Sequence, residues 1–194
     1  MALRIGVLAL QGAFAEHVVM LGRLGVDPVE VRLPPQLSGL DALIIPGGES
    51  TSISLLMSEY GFLAPVENMA KSGFPVWGTC AGLIVLSRLT PGSYPHTMQV
   101  MDIEVKRNAF GRQVDSFETD LHIPGLGPDA FHGIFIRAPR ISKVGAAVDV
   151  LCKLPDGEPV AARQGKLLCC SFHPELGNDT RFHRYFVDMV TTST

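Results

Sequence analysis

The chain has 194 residues, is 46% hydrophobic and 18% charged, and carries a formal net charge of −3. That balance is globular rather than disordered. With no Lys/Arg run longer than two residues, it argues against nucleic acid or an anionic membrane as a partner.

The opening Arg4–Leu10 is an almost unbroken apolar run, too short to cross a membrane, and reads as a strand buried on both faces. Gln11-Gly12 turns the chain. Phe14, Val18, Leu21 and Leu24 then recur at helical spacing, with Gly25 as the stop. His17 falls near the exposed side of that helix. Short strands are expected at Val29–Arg32 and Ala42–Ile45, the second ending at Pro46-Gly47-Gly48. Helices are expected at 50–60 and 63–71, a fourth strand at Val76-Trp77, and a helix at 81–89. Strands alternating with helices imply a mostly parallel sheet with helices on both faces, a three-layer α/β sandwich. Its ligands belong beyond the carboxyl ends of the strands. The second half is strand-like at 100–106, 113–117, 130–136, 149–153, 160–163 and 166–172, and suggests antiparallel or mixed additions to the central sheet. A last amphipathic helix begins near Asp179. No linker or repeat interrupts the pattern, so a single domain spanning residues 1–194 is expected. At that size about 70% of the unfolded chain's surface is buried, and no disulfide or metal is needed to hold the fold. Cys80, Cys152, Cys169 and Cys170 lack CxxC spacing and read as reduced thiols of a cytoplasmic protein.

Cys80 is the sharpest chemical signal. It lies in Gly78-Thr79-Cys80-Ala81-Gly82, between a buried strand and a helix, the setting of a nucleophile elbow. The helix N-terminus favours thiolate at that sulfur. A thiolate needs a base. Of six histidines, His173 alone ends an apolar strand and is followed two residues later by a carboxylate, Glu175. In extended chain those two project to one side, so Glu175 can orient the imidazole toward Cys80. An oxyanion formed by attack on an amide needs donors, and the N–H groups of Gly48 and Ala81 are the candidates. Cysteine and histidine spacing suggests no metal site.

Cys80 in its glycine-flanked turn, His173-Pro174-Glu175 and Pro46-Gly47-Gly48-Glu49-Ser50 together resemble the class I glutamine amidotransferase family. Leu10-Gln11-Gly12, Pro46–Thr51, Arg107–Gln113, Phe135–Pro139 and Ser171–Glu175 resemble, in that order, the branch whose members are glutaminase subunits of pyridoxal 5'-phosphate synthases. The resemblance implies hydrolysis of L-glutamine to glutamate and ammonia through a thioester on Cys80, with no cofactor. It implies substrate contacts at Gly48, Glu49, Ser50, Arg107, Ile136 and Arg137. It also implies a synthase subunit as partner, docking near Gln11 and receiving the ammonia. A stand-alone γ-glutamyl peptidase and a non-catalytic regulatory subunit are the competing readings. The segments 107–113 and 135–139 argue against the first, and the intact Cys80, His173 and Glu175 against the second.

Overall fold

The structure, a computed structural model, describes residues 2–88, 96–106 and 116–192. Five parallel strands form the centre: β1 (Arg4–Leu8), β2 (Asp27–Val31), β3 (Ala42–Ile45), β4 (Val76–Thr79) and β11 (Leu167–Cys170). Two antiparallel strands, β9 (Asp149–Lys153) and β10 (Pro159–Gln164), extend one edge, giving the order β2-β1-β3-β4-β11-β10-β9.

Because side chains alternate across a strand, the central strands feed two cores. Leu43, Ile45, Val76, Leu167 and Cys169 pack on one face against α2 (Ser50–Glu59), α3 (Leu63–Lys71) and α4 (Ala81–Leu86). Ile5, Val7, Ile44, Trp77, Leu168 and Cys170 pack on the other against α1 (Phe14–Arg23) and α5 (Arg181–Thr191). This is the expected three-layer sandwich. The adjacent thiols Cys169 and Cys170 face opposite layers, and all four cysteines are free. α1 ends where Gly25 takes φ 72°, a left-handed conformation that glycine adopts without steric penalty.

The second half departs from expectation. Only β9, β10 and β11 join the central sheet. β5 (Ile103–Lys106) pairs with β8 (Arg140–Val144), and β6 (Ser116–Leu121) with β7 (Phe131–Ile136), as two separate antiparallel ribbons. Each ribbon turns one apolar face inward: Ile103, Val105 and Ile141 onto the α2–α4 layer, Phe117, Phe131 and Phe135 onto the α1–α5 layer. β8 was not anticipated, because in RISKV only Ile141 is buried. The expected helix over 81–89 stops at Leu86, where the Ser87 hydroxyl bonds the Ile84 carbonyl; Leu89 lies outside the described residues. So do Arg107 and the segment Arg107–Gln113, together with the first residues of the strand expected from Gln113.

Since β1, β3, β4 and β11 run in parallel, the segments leaving their carboxyl ends gather on one rim. Those segments contain Gln11-Gly12, Gly47-Gly48-Glu49, Cys80 and His173.

Candidate active site

Cys80 sits between β4 and α4 with φ 47° and ψ −99°. A non-glycine residue held there costs about 1–3 kcal/mol. Its N–H donates to the Cys170 carbonyl at 2.8 Å, anchoring the turn to the neighbouring strand. The flanking glycines are forced by proximity. A Cβ on Gly78 would lie 2.4 Å from the Gly82 carbonyl carbon, and one on Gly82 would lie 2.1 Å from the Ile45 oxygen. Strand and helix touch backbone to backbone, and the turn between them raises the thiol onto the rim.

β11 lies beside β4 with Cys170 opposite Thr79, so the chain leaving β11 passes next to Cys80. The His173 N–H donates to the Ile134 carbonyl at 2.8 Å, which ties this segment to β7. Its Nδ1 donates to Glu175 Oε1 at 2.7 Å, and both residues are buried. Burial by itself would lower the His173 pKa. Hydrogen bonds to Cys80 and Glu175 outweigh it and hold the value up at about 10. His173 is thus poised as an imidazolium between a sulfur and a carboxylate, the charge pattern of an activated cysteine.

None of the other histidines lines the pocket beside Cys80. His96 and His122 are exposed. His132 is exposed on β7, where hydrogen bonds to Glu118 and Asp120 raise its pKa. His17 corrects the sequence reading: it is fully buried, not near the exposed side of its helix. The buried stripe of α1 is His17, Met20 and Leu21, at the i, i+3, i+4 spacing, whereas Val18, assigned to the stripe from its apolarity, is only half-buried.

A pocket of about 280 Å³ opens at this rim, lined by Gln11, Gly48, Glu49, Ser50, Cys80, Ala81, Ile84, Ile136, Arg137, Pro139 and His173. Every expected site residue among those described lines it except Glu175, which stands behind His173. Ile84 and Pro139 were not anticipated; as apolar residues in a helix and a loop they carry no chemical signal in sequence. Arg137 holds φ 44° at the pocket wall, and Cys80 Sγ lies 3.9 Å from the Ile136 carbonyl oxygen. Glu49 caps α2, its carboxylate accepting from the N–H groups of Thr51 at 3.0 Å and Ser52 at 2.7 Å.

The Gly47–Glu49 segment is clamped by the turn after β1. Ala13 N–H donates to the Gly47 carbonyl at 3.0 Å, and Glu49 N–H donates to Gln11 Oε1 at 3.0 Å. In a trans peptide the carbonyl and the following N–H point in opposite directions, so this clamp also fixes where the Gly48 N–H points. Gly12 makes the approach feasible: at φ 98°, a Cβ there would fall 1.9 Å from the Gly47 oxygen. Ala81, the first residue of α4, has an N–H with no carbonyl one turn behind it. Among the described residues no group of three His, Cys, Asp or Glu side chains is arranged to hold a metal.

Comparison with known proteins points the same way. The chain is 55% identical over 192 residues to the "Pyridoxal 5'-phosphate synthase subunit PdxT" of Dehalococcoides mccartyi, covering 98% of each. It is 55% identical to that of Herpetosiphon aurantiacus, covering 95% of this chain and 99% of the relative. A solved structure described as a glutamine amidotransferase superposes with a TM-score of 0.91 at 49% identity, covering 97% of this chain and 99% of that one. Residues 7–192 match the SNO glutamine amidotransferase family. With a cysteine elbow, a His–Glu pair beside it and agreement over nearly the whole length, the chain belongs to the SNO glutamine amidotransferase family.

Proposed function

We propose that residues 1–194 work as one glutaminase domain, the ammonia-producing subunit of a cytoplasmic pyridoxal 5'-phosphate synthase. The observation that carries this reading is the strained Cys80 turn beside a buried His173–Glu175 pair in a pocket of about 280 Å³. A pocket of that volume suits one free amino acid better than a peptide, being just below the usual range for larger ligands. The family supports glutamine as the substrate, and the named relatives, as subunits of pyridoxal 5'-phosphate synthases, support a synthase as the partner.

In this mechanism His173 holds the thiol proton, and the Cys80 thiolate attacks the side-chain amide carbon of L-glutamine. The N–H groups of Gly48 and Ala81 receive the oxyanion, each worth about 3–4 kcal/mol to the transition state. His173 then protonates the departing nitrogen, which leaves as ammonia, and a γ-glutamyl thioester remains on Cys80. Water, deprotonated by His173, hydrolyses the thioester to glutamate. Glu175 keeps the imidazole oriented and balances its charge throughout. Ser50, Ile136 and Arg137 line the pocket where the amino-acid end of glutamine would lie, with the Arg137 guanidinium suited to its carboxylate. Glu49, which caps α2, lines the same pocket, and its carboxylate has the charge that suits the ammonium. Arg107 completes the proposed contacts. The synthase docks over the Gln11 edge and takes up the ammonia.

Ammonia release from glutamine, measured with and without the synthase subunit, tests the reading. Slow release by the chain alone and faster release on mixing are expected; full activity that ignores the synthase would favour a stand-alone peptidase, and none in either case a non-catalytic subunit. A glutamine-like diazoketone should alkylate Cys80. Cys169 and Cys170 are fully buried, and burial pushes the thiols of Cys152 and Cys169 up to about 11 and about 12. Label found mainly on those three would overturn the nucleophile assignment.

A further inference from the structure

Behind Glu175, on the side away from the pocket, two histidines that the chemistry above leaves unused are fully buried: His17 of α1 and His183 of α5. His17 Nδ1 lies 2.9 Å from His183 Nε2. The other nitrogen of His17, Nε2, lies 3.2 Å from Thr79 Oγ1 and 3.5 Å from Glu175 Oε2. Glu175 Oε1 is already bonded to His173. Neither Glu175 Oε2 nor His183 Nδ1 has a close hydrogen-bond partner among the described residues. A continuous file of side chains therefore runs from His183 through His17 and Glu175 to His173.

Burial, with His183 and His173 nearby, lowers the His17 pKa well below its ordinary value, and burial lowers that of His183 to about 3. Both rings are neutral near pH 7, and each carries one proton. A hydrogen bond between two neutral imidazoles uses one of those protons, so two arrangements exist. If His17 Nδ1 donates to His183, then His17 Nε2 is bare, accepts from the Thr79 hydroxyl, and offers Glu175 Oε2 no proton. His183 is then left with a buried Nδ1–H that meets no acceptor. If instead His183 Nε2 donates to His17, the His17 Nε2–H faces Thr79 Oγ1 and Glu175 Oε2, and the orphan at His183 is a lone pair rather than an N–H. The second arrangement turns an N–H, rather than a lone pair, toward the side of a buried carboxylate oxygen that has no hydrogen-bond donor of its own, where a lone pair would be costly.

We infer that His17 is a positioning residue of the catalytic triad: its Nε2–H, set in that tautomer by His183 and placed beside Thr79 Oγ1, faces the second oxygen of Glu175 at 3.5 Å and steadies the carboxylate that orients His173. Neutrality matters. A cation at His17 would compete with His173 for the same carboxylate, whereas a neutral donor holds it in place and leaves its charge for the imidazolium.

The inference rests on the glutaminase reading for its kinetic test, but the tautomer can be read without it. With the synthase present, His17→Phe is expected to lower kcat roughly tenfold to a hundredfold, the scale of one hydrogen bond to a charged group. KM for glutamine should stay within about twofold, since His17 does not touch the pocket. His17→Gln, whose amide N–H reaches the place of Nε2, should recover most of the loss. His17→Asn, whose amide reaches only the place of Nδ1, should not. Folded His17→Phe and His17→Asn proteins that turn over like wild type would overturn the inference, and so would equal recovery by Gln and Asn. In the unaltered chain, ¹⁵N resonances of the imidazoles should show His17 protonated at Nε2 and bare at Nδ1; a His17 Nδ1–H would also overturn it. Should wild type release no ammonia, or the variants not fold, that spectrum still decides the matter.

Discussion

At Cys80 the backbone and the chemistry make opposite demands: the sulfur is needed, and the conformation is one that only glycine adopts without strain. Cys80→Gly and Cys80→Ala should both abolish glutamine hydrolysis while folding. Thermal denaturation should find the glycine protein more stable than the alanine protein by about 1 kcal/mol, the relieved strain less the entropy glycine adds to the unfolded chain. Equal stability would show that the turn is not strained. Gly47 makes a second test, because a Cβ there would fall 2.4 Å from His173 Cε1. Gly47→Ala is expected to displace the imidazole and cut turnover sharply, with far-UV circular dichroism unchanged. His173→Ala should cost more than Glu175→Ala, since one moves protons and the other aims it. Turnover numbers from both variants check that order.

Among the elements, the segment after β1 acts on the segment after β3. Gln11 holds the Glu49 N–H and Ala13 holds the Gly47 carbonyl, so a partner pressing on this edge has a direct mechanical route to the Gly48 N–H. Gln11→Ala should reduce activation by the synthase more than it reduces basal ammonia release; a proportionate loss of both would disconnect Gln11 from docking. The same elements show why sequence reading reached some features and not others. Gly-Thr-Cys-Ala-Gly and His-Pro-Glu are local signals whose geometry follows from strand and helix periods, and β1, β3, β4 and α3 could be placed on the same grounds. Which strands pair is decided by partners far along the chain. Thus β5 through β8 read as strands, or in the case of β8 not at all, while their separation from the central sheet was not legible. His17 was misplaced because a histidine in an apolar stripe looks polar until its buried partners, His183 and Glu175, are seen.

For the molecule as a whole, the buried histidines couple folding to pH. His183 has a pKa of about 3 in the folded chain against about 6.5 when unfolded, and His17 is lowered in the same direction. The unfolded chain therefore binds more protons in acid. The stability His183 confers is complete above about pH 6.5 and is lost as pH falls toward 3, and His17 acts with the same sign. His173, raised to about 10, has the opposite sign: its contribution is complete below about pH 6.5 and is lost as pH rises through 10. Denaturant midpoints across this range should pass through a maximum near neutrality. His183→Leu should flatten the acid side selectively; an acid side as steep as that of wild type would locate the proton uptake elsewhere.

Trp77 is the chain's one tryptophan. It is fully buried, with its ring centroid 5.3 Å from that of His17 and 4.8 Å from that of His183. Indole emission is blue in an apolar interior, shifts to the red in water, and is quenched by a neighbouring imidazolium. The closed fold holds His183 neutral down to about pH 3 and lowers His17 in the same direction, so mild acid alone should leave the emission bright. Dimming and red shift should then arrive together, at the pH where the core opens. The protein thus carries its own optical gauge of the histidine file, readable without a label and without substrate.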